Sequence, residues 1–190
     1  MAEDTAGDDL LPEMYFSVDV ESNGPLPGEY SMTALGCVVV GHPERAFYAE
    51  LQPITDRVDS EAEAVSGLTL GYLRAHGSNP AEVMRRFRDW VAQMVSGTYR
   101  PVFVALNATY DWMFVHWYLM RFVGENPFSF GGLDIKAYYM GMFGVLWQET
   151  GSRHIAARLG IEQGKTHHAL DDAHFQAALF QKMLDARAAR

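Results

Sequence analysis

The sequence YFSVDV, residues 15–20, predicts a short and mostly apolar β-strand, and Glu21 follows it directly. Side chains alternate along a strand, so Asp19 and Glu21 point to the same side. Two carboxylates held side by side repel each other and are costly to bury unless a cation joins them. An exposed pair of acids at a strand end is the ordinary alternative, so this pair alone is a weak sign of a metal site.

The residues around this strand predict a mixed α/β fold. Residues 33–40 and 46–52 indicate two more strands, and the turn sequence GHPE at 41–44 separates them. Three closely spaced strands favour an antiparallel meander. Residues 102–106 predict a buried strand and Leu133 to Ile135 a short one, whereas 124–150 otherwise gives no assignment. Helices are predicted at 81–95, about 110–122, 151–159 and 169–188. We therefore expect a mixed sheet, the meander plus parallel strands, with helices on both faces.

A third carboxylate lies where the buried strand at 102–106 meets the following helix. Asp111 shares one helical face with the apolar residues Phe114, Val115 and Tyr118, so it is predicted to point inward near a helix N-terminus. A helix-capping acid is the alternative, because Asp is favoured in the first turn.

The sequence HHALDDA, residues 167–173, offers two adjacent aspartates, and helical geometry separates them. Asp172 aligns with the apolar Phe175, Leu179, Phe180 and Met183, and Asp171 with the more polar His174, Ala178 and Lys182. Asp172 is therefore predicted to face inward and Asp171 to face solvent. Three separate elements would then supply four carboxylates, a plausible ligand set for two Mg²⁺ or Mn²⁺ ions, which favour oxygen ligands.

The composition limits the classes of function. The formal net charge of −9 argues against a protein that holds long nucleic acids by phosphate contacts, unless bound cations supply the positive charge. The single Cys37 excludes an internal disulfide and a Cys-rich zinc site. Residues 1–13 are expected to form a flexible arm and 14–190 one domain. No secretory signal or membrane-length apolar stretch is present, so we expect a cytoplasmic protein.

In order along the chain, D-x-E, N-x-x-x-D and H-x-A-x-x-D-A resemble the motifs of the DEDDh family of 3′-to-5′ exonucleases. This family includes RNase T, oligoribonuclease and the proofreading exonucleases of DNA polymerases. Ser66-Gly67-Leu68-Thr69 and Leu133-Asp134 resemble two further family segments, and the resemblance runs from about residue 15 to 185. It implies an RNase H-like fold.

The resemblance also implies roles for the matching residues. The metal ligands would be Asp19, Glu21, Asp111 and Asp172. The general base would be His167 instead of His168, because the family places its histidine five residues before the last aspartate. Two metals about 3.5–4 Å apart would activate water and stabilise the leaving oxygen. Asn107 and the backbone around Ser22, Asn23 and Gly24 would hold the terminal nucleotide. Asn23 and Pro25 depart from the family pattern, which often has Thr and an apolar wedge there.

The expected activity is hydrolysis of phosphodiester bonds at single-stranded 3′ ends. The acidic balance favours short RNA over long duplex DNA, and proofreading or repair of DNA 3′ ends is the alternative. A catalytically silent nucleic-acid-binding module and a structural metal protein are two further alternatives. Tyr110 and Trp112 are predicted either to stack on a base or to pack in the core. A homodimer is compatible with the resemblance, since members of the family often dimerise.

Overall fold

A computed structural model describes residues 10–162 and 167–189 of the chain. Within them lies one mixed five-stranded sheet in the order β3-β2-β1-β4-β5. β1, β2 and β3 are antiparallel neighbours, whereas β1, β4 and β5 run parallel. The strands are β1 (Glu13–Ser22), β2 (Met32–Val39), β3 (His42–Glu50), β4 (Arg100–Ala105) and β5 (Gly132–Asp134).

Helices cover both faces of the sheet. One core packs β1 against the third and fourth helices, and the other packs the sheet against the fifth, sixth and seventh. The predicted RNase H-like α/β fold, with its meander, parallel strands and helices on both faces, is confirmed. The helices are α1 (Ser60–Ser66), α2 (Leu70–His76), α3 (Pro80–Val95), α4 (Ala108–Phe122), α5 (Ile135–Phe143), α6 (Ser152–Leu159) and α7 (Ala169–Ala188).

Alternation along β1 divides its side chains between the two cores. Phe16, Val18 and Val20 are buried on the side of α3 and α4. Ser17 faces α7, because its hydroxyl donates a 2.9 Å hydrogen bond to the carbonyl oxygen of Ala173. Asp19 and Glu21 continue this second row towards the carboxyl end of the strand.

Several boundaries differ from the sequence-based expectation. The expected turn at 41–44 is shorter, and β3 begins at His42, because an edge strand tolerates Pro43. α1 and α2 were not predicted, since seven-residue helices with at most one buried residue carry little periodic signal. Ile135 begins α5 instead of ending a strand, because the side chain of Asp134 caps that helix.

Residues 138–147 are rich in Tyr, Met, Phe and Trp, a composition that predicts core or dimer packing. Tyr138 and Tyr139 do pack into the second core, and Tyr138 contacts the ring of Phe180. Leu146 and Trp147 are instead exposed.

The described residues leave out part of the expected N-terminal arm and a short segment before His167. Residues 1–9 of the expected arm lie outside the described residues, and so do residues 164–166, for which the sequence Gly-Lys-Thr before His167 predicts a loop. β1 begins at Glu13, inside the expected arm. None of the helices in the described ranges combines the length and apolarity that a bilayer crossing requires.

Gly36 of β2 brings α7 close to the sheet. It pairs with Asp19 across the antiparallel ladder. A Cβ atom at Gly36 would lie 2.2 Å from the carbonyl oxygen of Ala169, the first residue of α7. Only a glycine permits this approach of the helix to the sheet. The start of α7 therefore lies directly against Gly36, the residue of β2 that pairs with Asp19.

Candidate active site

The site lies where β1 and β4 separate. Their parallel pairing ends at Ser17 and Val104, and β4 itself ends one residue later. The carboxyl ends of two parallel strands meet at one edge of the sheet, and the chain then continues into α4. In open α/β sheets, ligands commonly bind outside this edge.

Three of the predicted ligands meet there. Carboxylate oxygens of Asp19, Glu21 and Asp172 lie within 4.8 Å of one another and are partly accessible. Asp171, by contrast, is exposed, and its carboxylate lies 3.5 Å from the ring of His168. The helix therefore turns Asp172, and not its neighbour, towards β1.

Asp111 completes the group from the opposite face of β1. It is 5% exposed, and its Oδ1 accepts a 3.0 Å hydrogen bond from the amide of Val20, the residue between Asp19 and Glu21. The Val20 amide lies beyond the end of the β1–β4 pairing, and Asp111 accepts the hydrogen bond that this amide donates. The structure brings all four predicted carboxylates to one place.

The pKa values of Asp19, Glu21 and Asp111 are all raised above their ordinary values. Burial, and after it the negative charges of Asp111, Asp172 and Glu21, raise the pKa of Asp19 well above its ordinary value. Burial and then Asp172 raise the pKa of Glu21 to about 7. Burial likewise raises the pKa of Asp111, although hydrogen bonds from the Val20 amide and its own amide oppose the shift.

This donor set fits hard divalent cations. Such ions take carboxylate oxygens as ligands, and their charge removes the repulsion that otherwise forces protons onto the group. Asp19, Glu21 and Asp172 are placed to hold a cation between them, with Asp111 at their side.

The two histidines before α7 differ in their surroundings. His167 is exposed and adopts φ 74°, and its backbone amide donates a 2.7 Å hydrogen bond to Asp172 Oδ2. His168 stacks on the ring of Tyr48 with 4.8 Å between centroids. The ring of His168 is therefore engaged with β3, whereas the main chain of His167 is tied to a member of the acidic group.

The segment predicted to hold the terminal nucleotide is turned into the protein. The hydroxyl of Ser22 donates to the carbonyl of Gly24 at 2.8 Å, and Oδ1 of Asn23 accepts the amide of Ser31 at 2.7 Å. The ring of Tyr30 packs on Gly24, where a Cβ would lie 2.0 Å from Cδ1 of that ring. All three residues are buried, and the side chains of Ser22 and Asn23 support the loop instead of projecting from it.

Asn107 has a different environment. It is exposed, adopts the left-handed conformation at φ 70°, and makes no side-chain capping bond to α4. Its amide group therefore stands at the N-terminus of the helix that carries Asp111.

The aromatic neighbours of Asp111 serve the interior. The hydroxyl of Tyr110 shares a 2.6 Å hydrogen bond with that of Ser22, and the edge of Trp112 meets the ring of Phe103 at 5.1 Å. Of the two predicted roles, both residues show core packing.

Two residues have supporting roles that the sequence did not predict, although Asp134 belongs to a segment that resembles the family. Asp134 accepts the amide of Ala108 at 2.6 Å and that of Ala137 at 2.7 Å, so it fixes the first turns of both α4 and α5. Gln176 is buried and contacts both Asp19 and Leu106. Its position four residues after Asp172, on the same helical face, was the available signal.

Comparison with known proteins agrees with this arrangement. Residues 16–180 match the family described as Exonuclease, of the RNase T type. The 3′-5′ DNA exonuclease Cap18 of Escherichia coli is 39% identical over 169 residues, which cover 89% of this chain and 90% of that protein.

Solved structures share the fold at lower identity. The nuclease domain of 3′hExo, a DEDDh family member bound to rAMP, superposes with a TM-score of 0.75 at 16% identity and covers 92% of this chain and 93% of its own. The zinc-bound E. coli ExoI–ssDNA complex gives a TM-score of 0.70 at 18% identity, over 94% of this chain and 42% of its own. At these identities the likeness concerns the fold.

Proposed function

The chain belongs to the exonuclease family of DEDDh 3′-to-5′ exonucleases, and from this premise we propose that it removes nucleotides from single-stranded 3′ ends by metal-dependent phosphodiester hydrolysis. The observation that carries the proposal is the meeting of Asp19, Glu21 and Asp172 within 4.8 Å, with Asp111 beside them. A silent binding module would gain nothing from four acids whose mutual repulsion costs stability.

Asp19, Glu21, Asp111 and Asp172 would hold two Mg²⁺ or Mn²⁺ ions. Bound there, the ions would lower the pKa of an attacking water and neutralise charge on the leaving oxygen. The carboxylates would position these charges, and their oxygen-only donor set favours hard cations over soft ones. The raised pKa of Glu21 means that the acidic group gives up protons when cations bind.

His167 is the proposed general base. A neutral imidazole has a ring nitrogen that can accept a proton from water, which is the step proposed for His167. The bond from its backbone amide to Asp172 keeps the residue next to the acidic group while the exposed side chain retains freedom to meet substrate. His168, stacked on Tyr48, lacks that freedom.

Single-stranded DNA is the first candidate substrate. The sequence favoured short RNA, but the relative at 39% identity is a DNA exonuclease, which supports the alternative of a DNA 3′-end exonuclease. RNA remains the second candidate, because the 3′hExo nuclease domain of the same fold binds rAMP. A protein distinguishes the two polymers by contacts to the 2′-hydroxyl.

The terminal nucleotide would be held mainly by Asn107, with the backbone of Ser22, Asn23 and Gly24 forming the wall of the site. The exposed side chain of Asn107 supports this role. The side chains of Ser22 and Asn23 point inward and Gly24 has none, so this segment offers its backbone for contact. The homodimer also stays a prediction.

A digestion series tests the activity and the substrate together. Oligonucleotides of single-stranded DNA, single-stranded RNA and duplex DNA, each labelled at the 5′ end, are incubated with Mg²⁺ or Mn²⁺. We expect stepwise shortening from the 3′ end, faster on DNA, and none with Asp111→Asn. Replacing a nonbridging oxygen of the last phosphodiester bond at the 3′ end with sulfur is expected to slow the reaction in Mg²⁺, because this hard cation binds sulfur poorly. Failure to shorten every substrate would refute the enzyme proposal, and faster shortening of RNA would refute the DNA preference.

A further inference from the structure

We propose that Gln176 is a positioning residue that orients the Asp19 carboxylate for metal binding; this inference rests on the proposed function. Gln176 is 4% exposed and lies on α7, one helical turn after Asp172. Its Nε2 donates a 2.6 Å hydrogen bond to Asp19 Oδ1, and its Oε1 accepts a 2.7 Å hydrogen bond from the amide of Leu106.

The chemistry of the partners fixes the orientation of this side-chain amide. A backbone N–H can only donate, so the atom that faces Leu106 must be the oxygen. The NH₂ group is then left to face Asp19, which must accept. Both ends of the Gln176 amide are used, and a rotation by 180° would lose both bonds.

The place of this bond explains why the sheet needs it. The β1–β4 ladder ends at Ser17 and Val104. Two residues further along the chain from these positions stand Asp19, still in β1, and Leu106, just after the end of β4. Where the strands separate to open the site, the Leu106 amide loses its strand partner. The side chain of Gln176 enters the gap and spans it, because it accepts from one strand and donates to the other.

The bond has a consequence for ligation. Asp19 is flanked by Asp111, Asp172 and Glu21, whose negative charges repel its ionised carboxylate. A donor on Oδ1 holds one oxygen in place and leaves Oδ2 for a cation. Partners of this kind typically alter metal affinity or activity about 10–100-fold when they are removed.

The test uses Mn²⁺ as the probe, on the full chain without nucleic acid. The concentration of free Mn²⁺ is measured by EPR while the wild type, Gln176→Met and the control Gln181→Met are titrated with the metal. Gln181 lies on the same helix but bonds to Asp185. We expect about tenfold weaker Mn²⁺ binding in Gln176→Met and wild-type binding in the control. Equal affinity in all three proteins would overturn the inference.

A second variant separates positioning from support of Leu106. Gln176→Glu keeps an oxygen that accepts the Leu106 amide, so it retains the link to Leu106 that Gln176→Met loses. It replaces the donor to Asp19 by a carboxylate. We expect a changed EPR line shape of bound Mn²⁺ and at least a tenfold lower kcat. An unchanged line shape or a wild-type kcat would reduce Gln176 to an anchor for β4.

The inference and the proposed function can fail separately. If no oligonucleotide is shortened but Mn²⁺ binding still depends on Gln176, the exonuclease proposal falls and the positioning role stands. If the wild type itself binds no Mn²⁺, both fall.

Discussion

The backbone amide of His167 donates a 2.7 Å hydrogen bond to Oδ2 of Asp172, so the residue proposed as the base is fixed by its main chain to a proposed metal ligand. This bond does not involve the imidazole. Side-chain replacement at 167 can therefore remove the proton acceptor without disturbing the carboxylate. Few sites allow the base and the metal ligands to be tested so independently.

His167→Ala is expected to lower kcat by roughly 10²–10⁴, the usual contribution of a general base, while Mn²⁺ affinity stays at the wild-type level. Single-turnover digestion and Mn²⁺ titration give the two quantities. His168→Ala is the matched control, because its ring stacks on Tyr48 and lies near Asp171. A larger loss of kcat in the His168 variant would reverse the assignment of the base.

The stability of the metal-free protein is expected to fall as pH rises. Burial raises the pKa of Glu21 from 4.5 to about 7, so between these values the folded protein binds more protons than the unfolded chain. The contribution of Glu21 to the free energy of unfolding is therefore fully present below about pH 4.5 and is lost as pH increases through 7. We expect a loss of about 2 kcal/mol between pH 5 and pH 8, measured by urea unfolding in EDTA.

Saturating Mn²⁺ should abolish most of this decline, because the cation binds the deprotonated carboxylates. Unfolding curves at pH 8 with and without Mn²⁺ provide the comparison. Stability that rises with pH in EDTA would contradict the raised pKa values.

Asp111→Asn is expected to stabilise the metal-free protein while it removes activity. The amide oxygen of Asn can still accept the bond from Val20, and the variant no longer carries a buried charge among three other acids. The gain should be about 1–3 kcal/mol at pH 8 in EDTA. Calorimetric melting checks it, and a destabilised Asp111→Asn would show that the charge itself supports the fold.

Gly36→Ala is expected to move α7 away from the sheet. The added methyl group would stand 2.2 Å from the carbonyl oxygen of Ala169, which is backbone and cannot turn aside. We expect a loss of about 1–3 kcal/mol in unfolding free energy and weaker Mn²⁺ binding, because Asp172 moves with the helix.

Gly71→Ala is the matched control for this glycine. A Cβ at Gly71 in α2 meets no atom within 4 Å, so the variant should bind Mn²⁺ as the wild type does. Normal Mn²⁺ binding in Gly36→Ala would show that the contact with Ala169 does not set the position of Asp172.

Local periodicity determined much of this protein. Alternation along residues 15–20 placed Asp19 and Glu21 on one side of a strand, and the helical repeat after residue 169 turned Asp172 inward and Asp171 outward, as the structure shows. Asp111 was predicted by the same kind of reasoning. Each of these inferences needs only neighbours within two turns or a few strand residues, so the sequence itself contains them.

The tertiary structure alone decided which residues support these carboxylates. Gln176 meets Asp19 across 157 positions of sequence and Leu106 across 70, and Gly36 meets Ala169 only because α7 lies on β2. The spacing of Gln176 from Asp172 places it on the inward face of α7, but neither that spacing nor a glycine in a strand indicates which distant residues these positions contact. Their roles arise where β1 and β4 separate, and that separation is a property of the assembled sheet.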